Sequence, residues 1–293
     1  ETSDHTKPVL IIPSLINRYH VLDLSGGRSF VRALAAQGFH PYIVDWGTPG
    51  GQETNFDLSA YVTKRLEPIA ELIADHHKSR VNTIGYCMGG LLALALATRK
   101  PETIGSLALL ATPWDFHSNN KAQAIMLKII QPQINSMIDT LGVVPHDVLQ
   151  AMFTSLSPWL TIEKFRRFSQ PGKNQNKDDL FVELEDWIGN GTPLAGPVAR
   201  ECLNGWYINN APLNGQWCID DTPVLPEQVQ CPSLVVIPKH DHIVPPGSAA
   251  ALGDKLPGPH ILHVKSGHIG MVAGTNAHET LLTPLVSWLK DLK

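Results

Sequence analysis

Cys87 sits at the centre of Gly85-Tyr86-Cys87-Met88-Gly89-Gly90, between the apolar run Val81-Asn82-Thr83-Ile84 and the apolar stretch Leu91-Leu92-Ala93-Leu94. A thiol with glycine two residues before and two after it, on a turn from strand to helix, is the cysteine form of the G-x-S-x-G nucleophile elbow. In that elbow small residues let the helix pass close to the strand. The apex faces the unpaired N–H groups and the positive end of the helix, which favours the nucleophilic thiolate. The bare pentapeptide more often marks a small buried residue beside a tight turn. The strand before it and the helix after it turn the reading toward catalysis.

An activated cysteine needs a base within hydrogen-bond reach, and the base needs a third group to fix its tautomer. Asp241 follows the apolar run Pro232-Ser233-Leu234-Val235-Val236-Ile237-Pro238, and His268 lies in Ser266-Gly267-His268-Ile269-Gly270 after His260-Ile261-Leu262-His263-Val264. Nucleophile, acid, histidine is the chain order of the α/β-hydrolase fold, and Cys87, Asp241 and His268 stand in it. An oxyanion hole should use the backbone N–H of Met88 and a second donor between Leu15 and Val21, in the loop after the first strand. Other candidates are weaker. His240-Asp241-His242 looks like a fragment of a metal site, but no second H-x-H or acidic cluster accompanies it, and His76-His77 closes a helix with no third ligand nearby. Asp115 reads as a helix cap and Asp45 as structural. No metal and no cofactor are expected.

These residues require a parallel sheet whose C-terminal edge collects loops. Val9-Leu10-Ile11-Ile12, bounded by Pro8 and Pro13, reads as a strand buried on both faces, as do the elbow strand and Ile104 to Ala111. Arg28 to Gln37 reads as a short helix closed by Gly38, His40 to Trp46 as a strand, and Phe56 to His77 as a helix that Pro68 kinks. Alternation of strands and helices implies right-handed crossovers. The rhythm stops between Thr112 and about Val229. Ala122 to Leu141 is amphipathic but interrupted by Pro132, and Trp159, Trp187, Trp206, Tyr207 and Trp217 crowd this region. The expected organisation is an α/β core of residues 1–114 and 229–293 with a mostly helical cap, residues 115–228, inserted as a lid over the thiol. A helix through Leu281, Leu282, Val286 and Leu289 closes the chain despite Pro284.

With 293 residues, 43% hydrophobic and 17% charged, the chain has the make-up of one large domain with an insertion. A net charge of −4 with scattered basic residues gives no nucleic-acid footprint, and no apolar run is long enough to span a bilayer. Glu1 to His5 lack the basic and apolar regions of a secretory signal, so the cytosol is the expected compartment. Four cysteines without a C-x-x-C pair argue against zinc and redox motifs. Cys202 and Cys218 are expected to fill gaps in packing, and Cys231 to precede a strand.

The sequence resembles the polyhydroxyalkanoate (poly-3-hydroxybutyrate) synthases over nearly its whole length. The resemblance lies in Ile16-Asn17-Arg18-Tyr19 with Leu22-Asp23-Leu24, Asp45-Trp46-Gly47, the cysteine elbow, Thr112-Pro113-Trp114-Asp115-Phe116, Asp241-His242-Ile243-Val244-Pro245 and Gly267-His268-Ile269-Gly270. It implies that Cys87 carries a growing acyl chain made from 3-hydroxyacyl-CoA thioesters, with CoA released and a polyester formed. It further implies His268 as general base, Asp241 as its partner, Val21 and Met88 as oxyanion donors, and Trp187 in the cap with His242 as pocket residues. A homodimer, a separate partner subunit and a place on cytoplasmic polyester granules go with it. The alternative on the same scaffold is an esterase, thioesterase or hydroxyalkanoate-oligomer hydrolase.

Overall fold

The computed structural model describes residues 7–118, 121–156 and 175–292. The apolar runs bounded by prolines and turns form one six-stranded sheet: β1 (Lys7–Ile12), β2 (Phe39–Ile43), β3 (Val81–Tyr86), β4 (Ile104–Leu110), β5 (Ser233–Pro238) and β6 (His260–Val264). Their order is β6-β5-β4-β3-β1-β2, and every neighbouring pair is parallel. Strands β3 and β5 are buried from end to end, so both faces of the sheet must be covered.

The covering helices, in chain order, are α1 (Phe30–Ala36), α2 (Glu67–His77), α3 (Met88–Arg99), α4 (Lys121–Leu141), α5 (His146–Leu156), α6 (Gln175–Gly189), α7 (Pro246–Gly253) and α8 (Thr283–Asp291). Helices α2, α3 and α7 share one apolar cluster with Leu10, Leu107 and Val235, while α1 and α8 share the other with Val9, Ile84 and Val236. This alternation along each strand follows from side chains pointing to opposite faces at successive residues. Helix α3 is apolar all round and buried from Met88 to Ala97, as its central place demands.

One proline behaves differently from expectation. Pro132 lies inside α4, which runs unbroken from Lys121 to Leu141. The cost of about 3 kcal/mol for an interior proline is offset by the stripe Leu127, Ile134 and Ile138, which packs into the first cluster. Pro68 and Pro284 lie within continuous helical runs, 58–77 and 278–291, and each follows a π-helical turn, Val62–Leu66 and His278–Leu282, which takes up the missing N–H.

Between β4 and β5 the described residues add no strand to the main sheet. They contribute α4, α5, α6, further helical turns and two short antiparallel pairs, Val143–Val144 with Leu194–Ala195 and Cys218–Ile219 with Thr222–Pro223. Among this region's aromatic residues, Trp159 lies outside the described residues. Trp206 and Trp217 meet edge to face at 5.5 Å, and Trp217 meets Trp114 at 6.5 Å, inside the first cluster. Cys202 is buried as expected, but Cys218 is exposed on its two-residue strand, where no interior gap exists to fill.

Candidate active site

The site forms at the C-terminal edge of the sheet, where the loops after β1, β3, β4, β5 and β6 meet. Cys87 is the residue between β3 and α3, with φ 55° and ψ −127°. A non-glycine residue held there stores about 1–3 kcal/mol of strain. Burial of Leu91, Leu92, Leu94 and Leu96, all at 0% exposure, is worth about 1.5–3 kcal/mol each and more than offsets it. The tight turn needs glycines. A Cβ on Gly89 would run into the carbonyls of Ile12 and Pro13, and one on Gly85 would strike the Gly90 backbone.

The acid and the histidine arrive on the two loops that follow β5 and β6. The Asp241 side chain is fully buried, and each of its oxygens has defined work. Oδ1 accepts the backbone N–H groups of Ile243 (2.8 Å) and Val244 (2.9 Å), and Oδ2 meets Nδ1 of His268 at 2.7 Å. A carboxylate gripped this way fixes the imidazole so that Nε2 faces away from it. The Cys87 side chain lies within electrostatic reach of the ring. Burial alone would hold the His268 ring neutral. The electrostatic influence of Cys87 and then of the Asp241 carboxylate outweighs burial and pushes its pKa up to about 10.

Two tyrosines that sequence reasoning did not single out belong to this environment. Tyr86, immediately before the nucleophile, is buried and donates its hydroxyl to the His268 carbonyl at 3.3 Å, with the two rings 5.1 Å apart. Burial, then the charges of Cys87 and Asp241, raise its pKa well above the usual phenol value. Tyr207, from the segment between β4 and β5, is raised first by burial and then by Cys87, which places its phenol within electrostatic reach of the sulfur. The signal for Tyr86 is its adjacency to the elbow; for Tyr207 only the fold supplies one.

The oxyanion candidates also lie at this edge. Met88 begins α3, where helix geometry leaves the N–H without an intrahelical acceptor. Val21 is buried in a 3₁₀ turn, Tyr19–Leu22, after β1, and packs in the apolar cluster that Cys87 borders. Trp187, on α6, is buried in that same cluster and donates its indole N–H to the Arg18 carbonyl at 2.7 Å. His242 is exposed beside Asp241. Among the described residues no group of three or more histidine, cysteine or acidic side chains is placed to hold a metal, and no helix is long and apolar enough to cross a membrane.

Comparison with known proteins places this geometry in a family. The family model of the alpha/beta hydrolase fold matches residues 7–275. Among solved structures, a monoacylglycerol lipase from Paleococcus ferrophilus superposes with a TM-score of 0.62 at 15% identity, covering 98% of this chain and 97% of that one. A thermophilic esterase from Thermogutta terrifontis gives 0.57 at 16% identity, covering 98% and 90%. At such identities they speak to the fold alone. In sequence the chain is similar to the poly(3-hydroxyalkanoate) polymerase subunit PhaC of Synechocystis sp., 30% identical across 97% of this chain and 78% of that protein. It is 28% identical to the PhaC subunits of Allochromatium vinosum and Haloferax mediterranei, again over 97% of this chain, which spans 81% of the former and 58% of the latter. The chain therefore belongs to the α/β-hydrolase fold family and, within it, to the PhaC family of poly(3-hydroxyalkanoate) polymerase subunits.

Proposed function

We propose that the chain is an acyltransferase that polymerises 3-hydroxyacyl-CoA thioesters into a polyester through an acyl-enzyme at Cys87. The observation that carries this is the Asp241–His268 bond within electrostatic reach of Cys87 at a strained elbow, in a member of the PhaC family.

The Cys87 thiolate attacks the thioester carbonyl. The carbon–oxygen π pair moves to oxygen, and the N–H groups of Met88 and Val21 receive that charge. Collapse breaks the carbon–sulfur bond to CoA, and the protonated His268 ring gives its proton to the departing sulfur. The acylated Cys87 no longer carries negative charge, which removes the foremost influence holding the proton on His268. Burial now pulls the ring toward its neutral form. The same imidazole, an acid in the first half, becomes a base in the second. It takes the proton of the hydroxyl of another hydroxyacyl unit as that oxygen attacks the enzyme thioester. An ester bond forms, and Cys87 leaves as thiolate beside the imidazolium. Thioester exchange onto a thiol is nearly balanced, whereas transfer to an alcohol runs downhill, so a thiol carrier suits chain growth.

Water at the same position would yield free acid. We take residues 115–228 as a cap whose work is to exclude it, with Trp187 at its contact with the core. A homodimer, a partner subunit and a granule-surface location accompany this reading and rest on the family likeness alone. The test supplies 3-hydroxybutyryl-CoA and follows CoA and product together. Oligoester with stoichiometric CoA supports polymerisation; monomeric acid alone replaces it with the hydrolase alternative while leaving the triad standing.

A further inference from the structure

The turn that carries Val21 takes its first acceptor from Arg18. In a 3₁₀ turn over Tyr19–Leu22 the opening i to i+3 bond runs from the Val21 N–H to the Arg18 carbonyl, and no side chain caps the turn at Arg18. That same oxygen accepts the Trp187 indole N–H at 2.7 Å. Two donors thus share one acceptor, and one of them is the N–H that the acyl-transfer reading needs for the oxyanion.

The indole does not arrive alone. Nε2 of Gln150, on α5, donates to Asn17 Oδ1 at 3.1 Å, one residue before Arg18. Glu183, one helical turn before Trp187 on α6, pairs with Arg28 at 3.3 Å, with both side chains part-buried. Trp187 itself is 9% exposed and shares an apolar cluster with Val21, Leu22 and Met271. Three side chains from two helices of the inserted segment therefore land on one stretch of the core, residues 17–28, which contains the second oxyanion donor.

We infer that Trp187 is a positioning residue for the oxyanion hole: by hydrogen-bonding the Arg18 carbonyl it shares that acceptor with the Val21 N–H, weakens the bond that ties this N–H to the turn and lets it move to the developing charge. Gln150 and Glu183 hold the helices in the register that brings the indole there. Docking of the inserted segment and assembly of the hole are then one event, so acyl transfer is fast only when the segment that keeps water out is seated. This rests on the acyl-transfer reading and specifies how its oxyanion is held.

The test separates oxyanion chemistry from thiolate chemistry. Single-turnover acylation of Cys87 by 3-hydroxybutyryl-CoA builds an oxyanion; alkylation of Cys87 by iodoacetamide does not. Replacing Trp187 by β-(3-benzothienyl)alanine, which keeps the bicyclic shape and lacks the N–H, is expected to slow acylation about 10- to 100-fold, the range set by weakening one oxyanion donor. Alkylation should stay within twofold. W187F gives the same pattern, and in a V21P background, where no N–H remains to free, the W187F effect should vanish. Should V21P not fold, the benzothienyl variant decides by itself. Equal slowing of both reactions, or of neither, overturns the inference, as does a W187F effect that persists undiminished in V21P. A wild-type protein that is alkylated at Cys87 but never acylated overturns the acyl-transfer reading and this inference with it.

Discussion

Replacing Asp241 by asparagine changes one proton-accepting oxygen into an amide and leaves the loop almost untouched. Asn Oδ1 can still accept the N–H groups of Ile243 and Val244, so the turn after β5 is kept. The other position, which now meets His268 Nδ1 at 2.7 Å as Oδ2, becomes an N–H donor. Two donors cannot face each other in a fully buried pocket. Nδ1 must therefore turn acceptor, and the ring keeps one proton, on Nε2, so it can no longer hold the second proton that Cys87 gives up. The thiol loses its base, and the imidazolium that protonates the departing CoA sulfur loses its counter-charge. Inversion of the tautomer in such a pair costs about 10³–10⁴-fold in the chemical step, equivalent to about 4–5.5 kcal/mol of barrier. Two assays read it: CoA release from 3-hydroxybutyryl-CoA, and iodoacetamide alkylation of Cys87 at pH 7. Both should fall, acylation by the full factor, with the melting temperature held within a few degrees. A D241N protein that acylates within threefold of wild type would refute the argument that the carboxylate sets the tautomer.

G89A should not be tolerated at the elbow: its Cβ meets the backbone carbonyls of Ile12, the last residue of β1, and of Pro13 after it, so a loss of about 1–3 kcal/mol is expected in chemical denaturation. In C87A the foremost influence raising His268 is gone, and the ring's pKa, followed by NMR, should fall from about 10 toward or below its ordinary value. The linked stability has a defined sign. In the native protein the raised His268 pKa contributes stability that is complete below about 6.5 and is lost as pH climbs toward 10, and C87A should flatten that slope. Glu201 is a separate case: burial, opposed by its bond from the Leu58 N–H and assisted by Asp57, raises its carboxyl to about 7. An acid held neutral by burial costs stability as pH rises from about 4.5 to 7. E201Q should therefore be more stable than wild type at pH 8, on the order of 1–2 kcal/mol, and no more stable at pH 4.

The strands were legible because continuous apolar runs of five to seven residues, each bounded by proline or a turn, have few other places to go than the middle of a parallel sheet. The placement of Cys87, Asp241 and His268 was legible for a related reason: they lie on loops whose chain order mirrors the order of the strands that carry them. What escaped the sequence lies where tertiary packing overrides a local rule. Pro132 looks like a helix end, yet the buried stripe around it keeps α4 continuous. The π turns before Pro68 and Pro284 leave no compositional mark. Trp206 and Trp217 draw notice in the sequence only by their density among loops, and the contact of Trp217 with Trp114, distant in sequence, is made by folding alone. Cys218 reads as a packing residue by type and is exposed by place. The bond of Trp187 to a backbone carbonyl 169 residues away is one that no side-chain pattern encodes.

The central claim is that the sulfur of Cys87 becomes covalently acylated while CoA departs. Mixing the protein with 3-hydroxybutyryl-CoA, quenching in acid within the first turnover and mapping peptides by mass spectrometry tests this directly. The expected result is a hydroxybutyryl group on the peptide carrying Cys87, formed in step with free CoA and lost on treatment with hydroxylamine. CoA released at the same rate with Cys87 unmodified, or the acyl group found on another residue, would contradict the account.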